Sequence, residues 1–397
     1  MIAKASLITI ASLVLLGCGG SSGGPSGGSV SDACTELEND TFNCTQMLTD
    51  MVEHAVRPVV SNFATNAQAL HDTTDAYCAA QEDDKLTLAK TAWQTTMVDV
   101  EQLSVMQFGP LDSDGETGLA SFYAYGATVS SCLVDLQVVA GEVSTDNRSG
   151  LFALEYLLFG TIGTVSCSKD QSESVVEWAE SKTEAEIQTA RCDYAKLVAD
   201  DLVTKSTNLK TAWDSYSLVG AKDTLQVAAS LVTDAMFYAD KNTKDEKIKA
   251  LLPQAEADNF NADKVESEFA HQSKEHIIEN LIGLRTMFTA NGHMGLDDYL
   301  NAAGQSAVAA DMLTTLGAAI TNAESIDDSI FDALETASNK QTCIVLAASG
   351  AYDANSSDID TLCALQWNLK LFTDILKGDF ILLTEFNTPK GSGGEND

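Results

Sequence analysis

The chain has little proline, little positive charge and almost no sign of β-strands. It contains five prolines in 397 residues, and the alternation of apolar and polar residues that is typical of strands is hard to find. Lysine and arginine number 23, against 58 aspartates and glutamates, for a formal net charge of −35. So acidic a surface argues against nucleic acid as a partner, because nucleic-acid binding needs basic patches. It is compatible with cation binding, or with a solubility adaptation to salty surroundings.

Long apolar runs are confined to the N-terminus. Lys4 supplies a short positive segment, and the apolar stretch LITIASLVLL is too short to span a bilayer as a mature helix. It ends in LLGC, which is typical of bacterial lipoprotein signals, although an ordinary signal peptide with a chance cysteine is the alternative. We predict a signal peptide over 1–17, and a lipid-bearing Cys18 with a Gly/Ser tether over 18–33. The expected location is a bacterial cell envelope, on the periplasmic side of the outer membrane or at the cell surface.

The nine cysteines show no C-x-x-C spacing, so neither a zinc motif nor a thioredoxin-like motif is indicated. With Cys18 lipidated, eight remain, and an even number in an exported protein predicts disulfide bonds. Eight cysteines allow many connectivities, among which nearness in the sequence favours Cys34–Cys44, Cys167–Cys192 and Cys343–Cys363, and leaves Cys78–Cys132.

Residues that favour helices dominate the rest of the chain. Apolar residues recur at helical spacing from Asp84 to a Gly-Pro stop at 109–110, and further helices are predicted over about 186–213, 263–290 and 358–383. The tetrapeptide KTAW occurs twice, at 90–93 and 210–213 in the first two of these helices, which indicates either related halves or a chance repeat. Its tryptophans, Trp93 and Trp213, are expected in the core.

The fold expected from these patterns is all-α, with two domains that each resemble a four-helix bundle. The domains are predicted over 34–241 and 242–388, with a disordered acidic tail over 389–397. The boundary is set in the most polar interior stretch, DKNTKDEKIKALLPQAEADNFN.

Five segments resemble, in order and spacing, the segments of one family. They are AKTAWQTTMVDVEQLSVMQFGP, GLFALEYLLFG, RCDYAKLVADDLVTKSTNLKTAW, SKEHIIENLIGLRTMF and FNTPKGSGGEND. The family is imelysin, also called insulin-cleaving membrane protease, and the resemblance runs from about Arg57 to the C-terminus. It implies a periplasmic lipoprotein of two helical bundles, often linked to iron acquisition, with a site between the bundles that includes a G-x-H-x-x-E segment. It also implies peptidase activity in some members, with that histidine and glutamate as metal ligands.

The G-x-H-x-x-E segment is incomplete in this chain. Gly150 and Glu155 match it, but Phe152 stands at the histidine position. Histidine and glutamate three residues apart share a helix face and can bind one metal ion, whereas phenylalanine offers no lone pair. A zinc hydrolase needs three protein ligands and an open position, and no H-E-x-x-H occurs elsewhere. No catalytic residue is therefore predicted.

Glu155 lies within the apolar run RSGLFALEYLLFG, where an ionised carboxylate is costly unless it is compensated. Two interpretations stay open. Glu155 either binds a cation or a ligand's positive group in a cleft, or it pairs with Arg148 or Arg285 as a buried acid.

The densest polar cluster is AHQSKEHIIEN, in which His271, Glu275 and Glu279 follow at helical spacing and His276 lies beside Glu275. Imidazole together with carboxylates suits iron or zinc, although a solvated acidic face explains the same pattern. The predicted metal ligands are Glu155, His271, Glu275 and His276. The predicted ligand-binding cleft comprises Arg148, Gly150, Glu155, Ser273, His276, Asn280 and Arg285.

The expected function is an envelope lipoprotein that binds iron, another divalent or trivalent cation, or a small metal complex for uptake. Its expected partners are the membrane, through lipid on Cys18, and iron-transport proteins. One alternative is a metal-dependent peptidase that uses His271 or His276 in place of the missing histidine. Another is an adhesion or scaffold lipoprotein with an acidic helical surface.

Overall fold

Helices make up all the regular structure that the computed structural model describes. It describes residues 42–113, 115–123, 130–144, 148–220, 225–337, 343–345 and 358–381, and no strand occurs in these ranges, which confirms the all-α prediction. The predicted signal peptide, Cys18, the tether and the acidic tail lie outside the described residues. None of the described helices combines the length and apolar character needed to cross a bilayer.

The α-helices are α1 (Cys44–Asp50), α2 (Arg57–Ala80), α3 (Asp83–Ser104), α4 (Ser131–Ala140), α5 (Gly150–Phe159), α6 (Glu173–Glu180), α7 (Glu184–Ser215), α8 (Leu225–Met236), α9 (Ser273–Phe288), α10 (Leu296–Ala302), α11 (Ser306–Glu324), α12 (Ile330–Thr336) and α13 (Asp358–Ile375). Three wider π-helical segments adjoin them, π1 (Met51–Val56), π2 (Ala239–Glu246) and π3 (Leu376–Phe380). Short 3-10 turns occur at Gly109–Leu111, Leu119–Ser121, Lys249–Leu251, Ala262–Lys264 and Ala290–Gly292.

Local signals in the sequence place the ends of several helices. The Thr183 hydroxyl accepts a hydrogen bond from the Glu186 amide, and the Glu186 carboxylate accepts one from the Thr183 amide, which forms a capping box at the start of α7. Gly141 has φ +70° and ends α4 in the left-handed conformation. The helices predicted around Trp93 and Trp213 match α3 and α7 closely.

The helix predicted over 263–290 begins later than expected, at Ser273. Ser267 and His271 have φ values of 60° and 55°, and such left-handed residues interrupt a right-handed helix. Residues 265–272 therefore form a loop, which we call the pre-α9 loop, instead of the first turns of a helix. The prediction that His271 shares a helix face with Glu275 is wrong for this reason.

Helix packing brings α3 and α9 into direct contact. In the first part of the chain α2 packs against α3 and α7, and α5 packs against α3 and α7; in the second part α9 packs against α11, and α11 packs against α13. At the α3–α9 crossing the backbones approach so closely that a Cβ atom on Gly283 would lie 2.8 Å from the Gln102 Cα atom. One continuous set of buried apolar side chains, including Trp93 and Trp213, extends from Phe42 to Ile381. The division at 241–242 stays a prediction.

Disulfide bonds join Cys78 to Cys192, Cys132 to Cys167, and Cys343 to Cys363. The last pair was predicted correctly, but the predicted pairs Cys167–Cys192 and Cys78–Cys132 are wrong. Nearness in the sequence misleads here because α2 and α7 pack side by side and bring together Cys78 and Cys192, which are 114 residues apart.

The remaining predicted pair is only partly covered. Cys44 is disulfide-bonded, and its predicted partner, Cys34, lies outside the described residues.

A buried ion pair joins α7 to α4, and its arginine also contacts α5. The Arg191 guanidinium on α7 lies 3.6 Å from the Asp135 carboxylate on α4, and the side chains are 1% and 0% exposed. Arg191 also donates a hydrogen bond of 2.9 Å to the Tyr156 carbonyl and lies 4.4 Å above the Tyr156 ring. Burial raises the pKa of Asp135, while hydrogen bonds from Ser166 and the charge of Arg191 lower it in part. Arg191 therefore fixes the helix that carries Glu155.

We expect Arg191→Met to lower the free energy of unfolding by roughly 3–5 kcal/mol, because it leaves the Asp135 carboxylate buried without its cation. Lys196→Met on the same helix is the matched control. Its partner Asp193 is exposed, so this change should cost about 1 kcal/mol or less. Chemical denaturation followed by circular dichroism measures both values, and equal losses would contradict the role given to Arg191.

Candidate functional site

Four ionisable side chains meet inside the protein where α3 and α9 cross. Glu101 lies on α3, His276 on α9, Glu266 in the pre-α9 loop, and Lys247 directly after π2. Their side chains are between 0% and 3% exposed. We call these four residues the buried centre. Ionised groups so far from water must compensate one another.

Neighbouring side chains hold one oxygen of Glu101 and both oxygens of Glu266, whose Oε2 lies 2.9 Å from Lys247 Nζ. Glu101 Oε2 accepts hydrogen bonds of 2.6 Å from Lys247 Nζ and 2.6 Å from Asn280 Nδ2. Glu266 Oε1 accepts a hydrogen bond of 2.8 Å from the Tyr123 hydroxyl. These contacts fix the orientation of both carboxylates and leave Glu101 Oε1 and Glu266 Oε2 facing His276.

Glu101 Oε1 and Glu266 Oε2 lie close to the His276 imidazole, but at distances longer than a hydrogen bond to it. His276 Nδ1 lies 3.5 Å from Glu101 Oε1 and 3.5 Å from Glu266 Oε2, which is too long for a normal hydrogen bond. Glu101 Oε1 and both ring nitrogens of His276 make no hydrogen bond with the described residues. Buried polar atoms normally find a partner, so this arrangement has capacity for a further ligand.

The charges at the buried centre shift the pKa values in different directions. Burial raises the pKa of Glu101, and the neighbouring Glu266 carboxylate raises it further. Burial also acts to raise the pKa of Glu266, but the charges of Lys247 and His276 outweigh burial and lower it. For Lys247 and His276, burial lowers the pKa and the two carboxylates more than reverse that effect. The ammonium is therefore strongly held between the carboxylates.

The separations at the buried centre fit a small metal ion. One ligand atom from each of Glu101, Glu266 and His276 lies within 4.8 Å of the others, and these three form the one such group among the described residues. Metal–ligand bonds of about 2.0–2.2 Å in a tetrahedral site place neighbouring ligand atoms about 3.3–3.6 Å apart. The two 3.5 Å distances from His276 Nδ1 fall in this range.

Glu155 lies next to the buried centre and is held by the pre-α9 loop. Glu155 Oε1 accepts hydrogen bonds from Ser267 Oγ at 2.9 Å, from the Phe269 amide at 3.1 Å and from the Ala270 amide at 2.9 Å. Neither Arg148 nor Arg285, the expected partners, forms an ion pair with it. Because Glu266 immediately precedes this set of donors, Glu155 holds the segment that delivers Glu266 to the buried centre.

Of the other predicted cleft residues, Asn280 and Gly150 have clear structural roles. Asn280 Nδ2 also donates to the Glu101 carbonyl at 2.8 Å and to Ser104 Oγ at 2.7 Å, so it ties α9 to α3. Gly150 has φ +71°, and a Cβ atom there would lie 2.4 Å from the Phe122 carbonyl oxygen. The glycine is therefore required by the backbone at the start of α5. Ser273 is buried, and its hydroxyl makes no hydrogen bond with the described residues.

Several predicted residues lie away from the buried centre. The His271 ring packs against Phe331, with the ring centroids 4.7 Å apart. Glu275 is 43% exposed, and its nearest cation is Lys274 at 3.5 Å. Arg285 is exposed on α9. Among the four predicted metal ligands, the structure brings only His276 into the group of possible ligands.

Sequence reasoning missed Glu101, Glu266 and Lys247. Glu101 follows Trp93 by eight residues on α3, and its spacing from this buried tryptophan is the signal that could have found it. Glu266 and Lys247 lie in a loop and beside a π-helical segment, where no helical periodicity indicates burial.

Comparisons with known proteins agree with the resemblance seen in the sequence. A family model described as Imelysin, Peptidase M75, matches residues 57–354 and confirms it. An imelysin-like protein from Psychrobacter arcticum 273-4 has a similar structure, with a TM-score of 0.64 and 16% identity over 87% of this chain and 96% of that one. A proposed iron-regulated protein A precursor from Parabacteroides distasonis ATCC 8503 is also similar, with a TM-score of 0.59 and 13% identity over 88% and 97% of the chains. A search of curated proteins found no match.

The buried position of Glu155 predicts a pH dependence of stability. Burial raises its pKa from 4.5 to about 7, against the opposing hydrogen bonds. Between these values the folded state binds more protons than the unfolded state, so the free energy of unfolding falls as the pH rises. A shift of this size corresponds to a loss of about 3 kcal/mol in the free energy of unfolding. The loss is complete above about pH 7.

Glu155→Gln removes this titration while its side-chain oxygen can still accept the three hydrogen bonds. We therefore expect the wild type to lose about 3 kcal/mol relative to Glu155→Gln between pH 4.5 and 7.5, as measured by urea unfolding. Glu275→Gln on the surface of α9 controls for the loss of one negative charge. If the free energy of unfolding changed with pH in the same way for the wild type and Glu155→Gln, the raised pKa assigned to Glu155 would be contradicted.

Proposed function

The chain belongs to the imelysin family, and from this we propose that it is a cell-envelope protein that binds iron or another divalent or trivalent cation at the buried centre, without catalysis. One observation carries the proposal. His276 Nδ1 lies at the same 3.5 Å distance from a free oxygen of Glu101 and from Glu266 Oε2, inside a fully buried site.

The chemistry of the side chains supports a transition metal. An imidazole nitrogen with two carboxylates is a donor set that suits iron and zinc, whereas calcium and magnesium prefer oxygen alone. Tyr123 and Asn280 orient the carboxylates, as neighbours of metal ligands generally do. The name of the Parabacteroides distasonis relative, an iron-regulated protein, favours iron among these ions.

The enclosure of the buried centre favours binding over hydrolysis. A hydrolytic zinc site keeps a position open to water and substrate. Here the side chains of Glu101, Glu266 and His276 are at most 3% exposed, which leaves a polypeptide no access to them. Phe152 at the family's histidine position also removes one expected ligand.

The N-terminal sequence supports attachment to a membrane through lipid. The apolar segment that ends in LLGC, followed by a Gly/Ser stretch, would leave Cys18 as a lipidated N-terminus and the folded part free to stand off the bilayer. Iron-transport proteins of the envelope are the partners that such a location and ligand imply.

We expect His276→Gln to weaken binding of Fe(II) and Zn(II) at least roughly tenfold, because even residues that only orient metal ligands contribute that much. Isothermal titration under anaerobic conditions and metal analysis by mass spectrometry provide the measurement.

His71→Gln is the matched control for this test. His71 lies among the carboxylates of Asp72, Asp75 and Asp200 near the surface, and its side chain is 21% exposed. Loss of the His71 imidazole should leave metal binding at the buried centre unchanged. A wild-type protein that binds no metal with a defined stoichiometry, or a His71 variant that loses binding as fully as the His276 variant, would refute the proposal.

Lipid attachment has its own test. Cys18→Ser should move the protein from the membrane fraction to the soluble fraction and abolish incorporation of labelled fatty acid, because the acceptor sulfur is lost. Ser21→Ala in the tether should change neither result. Retention of Cys18→Ser in the membrane fraction would instead indicate another anchor.

A further inference from the structure

We propose that Lys247 is an internal competitor for the cation site, so that a metal ion binds at the buried centre only by displacing the Lys247 ammonium group. The inference rests on the proposed function and adds the class of ion that the site accepts. Cations with two or more charges that also bind imidazole are accepted, and monovalent cations are rejected.

The position of the ammonium group is the first argument. Lys247 Nζ lies 2.6 Å from Glu101 Oε2 and 2.9 Å from Glu266 Oε2, so that it bridges the two carboxylates. Glu266 Oε2 is also one of the two oxygens that face His276. An entering metal ion would share this oxygen with Lys247 at close range. Two positive groups cannot occupy such a position together in a site that excludes water.

The balance of charge gives the selectivity. Sodium or potassium carries the same charge as the ammonium group, and it must also lose translational freedom, which the covalently attached lysine does not. A monovalent ion therefore gains nothing by replacing Lys247. A divalent ion brings one more positive charge to two carboxylates and an imidazole lone pair, so it can overcome the competitor.

In this proposal the release of Lys247 runs through its backbone, at the point where π2 ends. Its amide donates a hydrogen bond of 2.8 Å to the Asn242 carbonyl, five residues back, at the end of π2. Isolated π-helical turns are frequent at functional sites and hold one residue more than an α-helical turn. Thr243 in π2 also donates a hydrogen bond of 3.2 Å to Asn280 Oδ1, so π2 is connected to the residue that orients Glu101.

Lys247→Met tests the proposal, with Lys244→Met as the matched control. Lys244 lies in π2, is equally buried, and pairs with Asp240 and Asp245 away from the buried centre. We expect Lys247→Met to bind Zn(II) at least roughly tenfold more tightly than the wild type, since one opposing charge is removed. Lys244→Met should stay within about twofold of the wild type. Titrations in 150 mM choline chloride and in 150 mM NaCl should agree, because sodium does not compete.

The outcomes separate this proposal from the proposed function. If the wild type binds Zn(II) and Lys247→Met binds no more tightly, competition by Lys247 is refuted while the proposed function stands. If only Lys247→Met binds, competition is supported and the wild-type function fails. If neither binds, both fail.

Loss of the ammonium group leaves two carboxylates less well compensated, so circular dichroism must first show that Lys247→Met is folded. If it is not, Lys247→Arg provides the test. The guanidinium keeps the charge and can hold carboxylates with paired hydrogen bonds, so Zn(II) binding should weaken at least roughly tenfold. Unchanged affinity would overturn the proposal. A crystal structure of the zinc-loaded wild type should show Lys247 Nζ beyond about 4 Å from Glu266 Oε2, and an intact ion pair between these atoms would equally overturn the proposal.

Discussion

The pairing of Lys247 with Glu101 and Glu266 is the interaction on which the interior of this protein depends. Three ionised groups that lie outside water are tolerated only because each charge faces an opposite one at ion-pair distance. The groups come from α3, the end of π2 and the pre-α9 loop, with His276 from α9 completing the set. The helices of the two parts of the chain thus meet at a point where buried charges are neutralised by ion pairs, in addition to the apolar packing around them. The same compensation brings two carboxylates and an imidazole within a few ångströms of one another.

A layer of neighbouring contacts supports this pairing. Glu155 accepts hydrogen bonds from the amides of Phe269 and Ala270. These bonds help to hold the pre-α9 loop in a conformation that includes two left-handed residues. Trp93 on α3 donates a hydrogen bond of 2.8 Å to the Leu151 carbonyl and keeps α5 against α3. The glutamate of the incomplete G-x-H-x-x-E segment therefore has a reason to be present even though Phe152 replaces the histidine. It holds the pre-α9 loop, which carries Glu266 into the buried centre.

Much of the fold could be predicted because helical periodicity and caps are local properties. α3 and α7, the buried tryptophans and the unusual burial of Glu155 all follow from spacing within a few turns. The residues of the site were harder to predict, because Glu101, Lys247 and Glu266 are brought together over more than a hundred residues by the packing of α3 against α9. The wrong cysteine pairs have the same cause, since Cys78 meets Cys192 only through the contact of α2 with α7. The helix predicted across His271 failed for a different reason, since two left-handed residues of the pre-α9 loop interrupt it.

Gly283 has a consequence for the geometry of the buried centre. Its missing side chain lets α9 approach the backbone of α3 at Gln102, one residue after Glu101. Asn280 and His276 lie three and seven residues before Gly283, on the same face of α9, so the distance between the two helix axes determines how far the imidazole stands from the Glu101 carboxylate. The absence of a side chain at position 283 thus controls how closely the His276 imidazole approaches the Glu101 carboxylate. A wider spacing of the two helices would lengthen the 3.5 Å distance from His276 Nδ1 to Glu101 Oε1, on which the proposed cation site depends.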